Sequence, residues 1–183
     1  MKTALVLVDI QRDYFPGGKW ELVGMDMAAL NAARLLSAFR SQNWPIFHVQ
    51  HIAKNPQAPF FVVGTRGAEI HESVKPQADE KIIIKEFANS FRQTNLLEGL
   101  HSAGVEKLVI CGAMSNMCID ATTRAAYDLG FDCIVAHDAC AASNLEFYGH
   151  FTSALEVHCS FMAALAFGYA KVIPTQEAVA LTA

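Results

Sequence analysis

Short, unbroken apolar runs alternate along this chain with stretches of helix-forming composition, and that alternation restricts the fold more than any other feature. The first run, Thr3–Val8 (TALVLV), is apolar at almost every position and carries β-branched residues. A strand with one wet face would alternate; an unbroken run suits a strand covered on both faces, as in parallel sheets. Similar runs fall at 45–50, 81–84, 107–111, 132–136 and Lys171–Ile173. Between them, helices are expected over 27–40, with Asp26 as cap, and over 94–103, with Thr94 at its start. Gly112 is expected to end the fourth run. A third helix is expected over 119–129, its start capped by Ser115 or Asn116, and a fourth over 148–167. Strands alternating with helices define an α/β domain: a mostly parallel six-stranded sheet between two helical layers. The segments 52–80 and 138–144 read as loops, the first long, broken by Pro56, Pro59, Gly64, Gly67 and Pro76. A loop of that length in a compact domain is a lid, a wall of a site or an interface.

The 183 residues suit one domain, 1–183, with one core. A net charge of −4 argues against a nucleic-acid groove, which needs a basic face. No apolar run approaches the ~20 residues of a membrane span, and the N-terminus enters a strand pattern directly, so neither a membrane anchor nor a signal peptide is expected. The five cysteines are odd in number and none forms a CxxC pair. They read as reduced thiols of a cytoplasmic protein.

In parallel α/β sheets ligands sit beyond the carboxyl ends of the strands. Three chemically distinctive residues fall at that edge: Asp9 after the first strand, Lys85 after the third, and Cys118 just past the fourth, near a helix start. A thiol there meets free backbone N–H groups and the positive end of the helix dipole, which favour thiolate. Asp9 suits a base that takes the thiol proton, and Lys85 a cation that holds the charges in place. The thiolate would attack a carbonyl carbon, and the backbone N–H groups of Met114 and Cys118 would meet the oxyanion. Each residue also has an ordinary reading: Cys118 as a small buried side chain, Asp9 as a loop cap, Lys85 as a solvated lysine with its stem on the core.

Four ordered motifs carry a resemblance over nearly the whole chain: LVLVDIQRDYF (5–15), IKEFANSFRQTNL (84–96), VICGAMSNMCIDATTRAAYDLG (109–130) and CIVAHDACAA (133–142). Together they resemble the isochorismatase-like cysteine hydrolases, the family of nicotinamidases and N-carbamoylsarcosine amidase. The resemblance implies strand order 3-2-1-4-5-6, a catalytic triad of Asp9, Lys85 and Cys118, and a cis peptide between Ala113 and Met114. Ser115 stands where the family usually has Thr and keeps the hydroxyl.

The departures bear on the substrate. Metal-binding nicotinamidases carry Asp-x-His at the end of the second strand; here the segment is HVQHIAKNP (48–56), with no Asp between 40 and 78. His48 and His51 would face opposite sides of a strand. No metal and no other cofactor is expected, and the substrate is expected to be a small amide or ureide other than nicotinamide. Phe15, His51, Phe60 and Met117 are the candidates for the pocket wall. The long loop and apolar composition suit a homo-oligomer, a dimer or tetramer, as family members commonly are; neither nucleic acid nor membrane is expected as a partner. Two other functions fit the fold: an isochorismatase-type vinyl-ether hydrolase, which uses no thiol nucleophile, and a non-catalytic binding or assembly module.

Overall fold

A computed structural model describes residues 2–181 of the chain. Eight strands are present: β1 (Thr3–Val8), β2 (Ile46–His51), β3 (Lys81–Lys85), β4 (Lys107–Ala113), β5 (Asp132–Ala141), β6 (Leu145–Phe147), β7 (His150–Thr152) and β8 (Lys171–Ile173). The helices are α1 (Met25–Ser41), α2 (Leu96–Ser102), α3 (Asp120–Asp128), α4 (Ala154–Gly168) and α5 (Thr175–Ala180). Six strands form one parallel sheet in the order β3-β2-β1-β4-β5-β8. That is the expected 3-2-1-4-5-6 order. The sixth strand of the sheet is β8 because a separate antiparallel hairpin, β6–β7, precedes it in the chain.

All six residues of β1 are buried, as its unbroken apolar run requires of the strand at the centre of the sheet. Helices cover both sides of the sheet; α1 packs with α5, and α3 with α4. The strand order accounts for this: the chain moves from β1 outward to β3 and then returns through β4 to β8, and under the right-handed crossover rule the two directions put helices on opposite faces. At the edge, β3 alternates: Ile82 and Ile84 are half exposed, while Ile83 and Lys85 are buried. Lys85 therefore points to the same covered side as Ile83.

Local starts and stops differ from expectation for identifiable reasons. Helix α1 begins at Met25 after Gly24 in the left-handed region (φ 75°), and Asp26 lies in its first turn instead of capping it. Asn95 precedes α2 without a side-chain bond; Thr94 Oγ1 accepts from Leu96 N at 3.3 Å and does part of that work. Gly112 does not end β4. The strand runs on to Ala113 past an irregularity in its pairing with β5, and β5 extends to Ala141 alongside it, over residues read as loop. Gly112 has φ 124°, and a Cβ there would strike the Val8 carbonyl, so only glycine fits this crossing beside β1. One turn of π-helix, Ser115–Ile119, then leads into α3, without a side-chain cap from Ser115 or Asn116. The stretch read as one helix over 148–167 divides. Tyr148 and Gly149 both have positive φ (51° and 77°) and turn the β6–β7 hairpin, the geometry of a tight two-residue connection. Helix α4 starts only at the capping box of Ser153 and Glu156. Helix α5 carried no signal that was read from sequence.

Candidate active site

The carboxyl edge of the sheet collects the reactive groups. Asp9 leaves β1 with φ 51°, an uncommon conformation for a residue with a Cβ. Its backbone is fixed on both sides: its N–H donates to Val49 O at 3.0 Å and its C=O accepts from Gln11 N at 2.9 Å. Lys85 is the last residue of β3, and its register partner on β2 is His51. Cys118 sits in the π-turn after β4 and is 5% exposed; Asp9 and Lys85 are buried.

The Lys85 ammonium is the hub. Its Nζ lies 2.7 Å from Asp9 Oδ2, 2.9 Å from His51 Nδ1 and 3.2 Å from Cys118 Sγ. Apart from that ion pair, neither Asp9 oxygen has a well-directed donor among the described residues. The carboxylate is thus a buried acceptor with lone pairs to spare, beside a thiol.

Burial and the Asp9 charge push the Cys118 thiol well up from its ordinary value, against the pull of Lys85. This corrects the expectation of a thiolate favoured by the helix start. Desolvation outweighs both the dipole and the one nearby cation, because α3 itself begins two residues later and the sulfur is closed from water. Burial also works against the Lys85 charge, but Asp9 and Cys118 outweigh it and raise the lysine's pKa. One buried ammonium thus faces two groups that can carry negative charge, the Asp9 carboxyl and the Cys118 thiol.

Asp9, His51 and Cys118 offer ligand atoms all within 4.8 Å of one another, a donor set of the kind that holds a metal ion. Here the ammonium contacts all three, so the cation these donors face is supplied by the chain itself.

Around this centre, the peptide bond between Ala113 and Met114 is cis, and the Met114 N–H has no acceptor among the described residues. Ser115, buried, does not cap a helix. Its Oγ donates to Ala141 O at 3.1 Å and lies 2.8 Å from His158 Nδ1, tying the π-turn to β5 and α4. Of the expected wall residues, His51 touches Lys85 directly. Phe60 packs on Tyr14, Trp20 and Phe61, Met117 is exposed beside Cys118 in the chain, and Phe15 stacks on the His71 ring at 3.6 Å. A hollow of about 480 Å³ is lined by Arg12, Phe15, Lys19, Arg66, His71 and Glu72 among others and by none of the Asp9–Lys85–Cys118 group. It is a hollow separate from that group.

Two residues of the motif at 5–15 were given no role in the sequence reading. Gln11 is buried and clamps His51: its Oε1 accepts from His51 N at 2.8 Å, and its Nε2 donates to His51 O at 2.9 Å and Ala68 O at 2.8 Å. Tyr14 is buried, and its pKa is raised by burial and by the charges of Asp9 and Cys118. It follows Asp9 in the motif at 5–15, where Phe15 drew attention instead.

A parallel α/β sheet thus brings an acid, an ammonium and a thiol together at its carboxyl edge. The isochorismatase domain model matches residues 3–166, and the chain belongs to the isochorismatase family of hydrolases. It is 50% identical to the isochorismatase family protein YddQ of Bacillus subtilis over 176 residues, 96% of this chain and 98% of that one. Maleamate amidohydrolase of Pseudomonas putida is 31% identical over 151 residues, 75% of this chain and 71% of that one. A solved isochorismatase hydrolase of Oleispira antarctica superposes with a TM-score of 0.95 at 50% identity, covering 98% of this chain and 96% of that one.

Proposed function

We propose that this hydrolase cleaves the C–N bond of a small amide or ureide through a thioester on Cys118. The observation that carries the reading is the single ammonium of Lys85 in contact with both Asp9 and Cys118. Asp9 takes the thiol proton as sulfur attacks the carbonyl carbon, and Lys85 steadies the charge that passes from carboxylate to sulfur. The vacant Met114 N–H, together with that of Cys118, receives the carbonyl oxygen as it becomes an oxyanion. Asp9 returns its proton to the leaving nitrogen, the C–N bond breaks, and a thioester remains. Water then attacks the thioester with Asp9 as base, the acid is released, and sulfur recovers a proton. No step needs a group the chain lacks. The near-closure of Cys118 favours small substrates, and the relative named maleamate amidohydrolase supports an amide.

The test is incubation with a panel of short primary amides and ureides, reading ammonia release and the intact mass of the quenched protein. A substrate-derived adduct on Cys118, and loss of turnover in Cys118→Ala, are expected. Undiminished turnover by Cys118→Ala would sink the covalent route and favour vinyl-ether hydrolysis.

We also propose the cytoplasm as its location, since five unpaired cysteines suit a reducing compartment. No helix among the described residues is long and apolar enough to cross a membrane. We further propose a homo-oligomer, built on the apolar outer face of α4 and the β6–β7 hairpin.

A further inference from the structure

An ammonium has three protons, and the Lys85 head meets three acceptors. Asp9 and Cys118 take part in the reaction proposed above; His51 has no part in it. We propose that His51 is the positioning residue of this site: a neutral imidazole whose Nδ1 lone pair takes the third Lys85 proton, so that the other two point at the carboxylate and the sulfur.

The ring is built into place. His51 and Lys85 are register partners on adjacent parallel strands, which puts their side chains on one face. Gln11 holds the His51 backbone by both its N–H and its C=O, and the Phe61 ring lies 6.0 Å from the imidazole. A lysine head on a flexible four-carbon stem has no orientation of its own. With only two acceptors, one buried N–H would go unpaired, and the head would be free to settle on the carboxylate and leave the sulfur. The third acceptor removes that freedom. It also fixes the tautomer, because a neutral ring that accepts at Nδ1 carries its proton on Nε2.

The groups facing His51 are Lys85, Asp9, Cys118 and Glu86, the last paired with Lys54 at 2.6 Å. Burial and Lys85 lower the His51 pKa, and the two carboxylates oppose them without prevailing. His51 is therefore neutral through the neutral range. Protonating it at acid pH sets two cations in contact and ends its hold on Lys85.

The experiment needs no substrate. Long-range ¹⁵N-histidine NMR of the whole protein, with the His51 signal identified by its loss in His51→Asn, reads both tautomer and titration. The Nε2–H tautomer is expected, titrating below an ordinary histidine, and Lys85→Met is expected to raise the midpoint and mix the tautomers. A ring protonated on Nδ1, or one indifferent to Lys85→Met, overturns the proposal. Carboxamidomethylation of Cys118 by iodoacetamide, read by peptide mass, adds a second arm. Asn can present its oxygen where Nδ1 stood, whereas Phe keeps only the ring volume. His51→Asn is therefore expected to alkylate at least about tenfold faster than His51→Phe, roughly 1.4 kcal/mol of transition-state stabilisation. Equal rates overturn the proposal. The tautomer result stands or falls apart from amide hydrolysis, so failure of the hydrolase reading and failure of this inference are told apart.

Discussion

Lys85 is the residue on which the proposed chemistry turns. A buried ammonium is tolerated because its partners surround it, and removing it leaves a carboxylate and a thiol with no counter-charge. Lys85→Met is therefore expected to cut turnover by about 10³-fold or more and to push the Cys118 pKa further up. A pH–rate profile unchanged by the substitution would remove Lys85 from the mechanism. Asp9→Asn, which keeps the shape but cannot take the proton, is expected to lose activity to a similar degree while the fold survives. That Asp9, Lys85 and Cys118 come together was legible in the sequence because each lies at, or a few residues past, the carboxyl end of a strand. The protonation of Cys118 was not. Helix position can be read from local sequence, but desolvation is set by residues that arrive from elsewhere in the chain, and here it prevails. His51 was legible as a candidate and not as a partner of Lys85, since that contact depends on the register between β2 and β3.

At the scale of elements, the central parallel strands were legible because short apolar runs rich in β-branched residues, alternating with helical stretches, suit strands covered on both faces. The divided stretch before α4 was not, because the apolar residues of the hairpin continue the composition of the helix that follows. Gly112 misled for a related reason: glycine ends strands often, but here it lets β4 pass the Val8 carbonyl. Gly112→Ala combines a positive φ with that clash and is expected to destabilise the fold by at least about 3 kcal/mol, read as a lower urea midpoint. A midpoint within error of the parent would mean that β4 can move aside. A second joint lies between α1 and the segment before β3. Burial works against ionisation of Glu80, but Arg40 (2.6 Å), the Gln77 N–H (2.9 Å) and His48 (2.8 Å) outweigh it and hold its pKa at about 2, against 4.5 for a free carboxyl. A depressed carboxyl contributes stability that is complete above its unfolded pKa and lost as pH falls through its folded one. The window is therefore pH 4.5 down to about 2, and the contribution roughly 2–3 kcal/mol. Chemical denaturation across that range should show less loss in Glu80→Gln than in the parent, because the variant lacks the titrating group. Parallel losses in the two proteins would show that Glu80 does not govern the acid limb.

For the whole molecule, the unusual feature is how much apolar surface stays uncovered. Helix α4 buries Val157, Met162 and Leu165 against the body, yet its outer side shows Leu155 at 70% exposure and Phe167 at 94%. A helix apolar on both sides belongs between two packed layers, and the single chain supplies one. The adjoining hairpin makes the same point, with Phe147, Tyr148 and Phe151 all more than two-thirds exposed. Two three-residue strands paired only with each other are marginal in water, so this hairpin needs a surface to rest on. A second copy of the chain offers a matching apolar face, and a two-fold arrangement would bury both at once. The protein is therefore expected to self-associate at micromolar concentration through α4 and the hairpin. Light scattering coupled to size exclusion measures this directly. Leu155→Asp with Phe167→Asp should yield a folded monomer, since neither side chain supports the core of its own chain. A parent that runs as a monomer at high micromolar concentration, or a double variant that stays assembled, would move the interface elsewhere; half-exposed Ile82 and Ile84 on the edge strand β3 are then the next surface to charge.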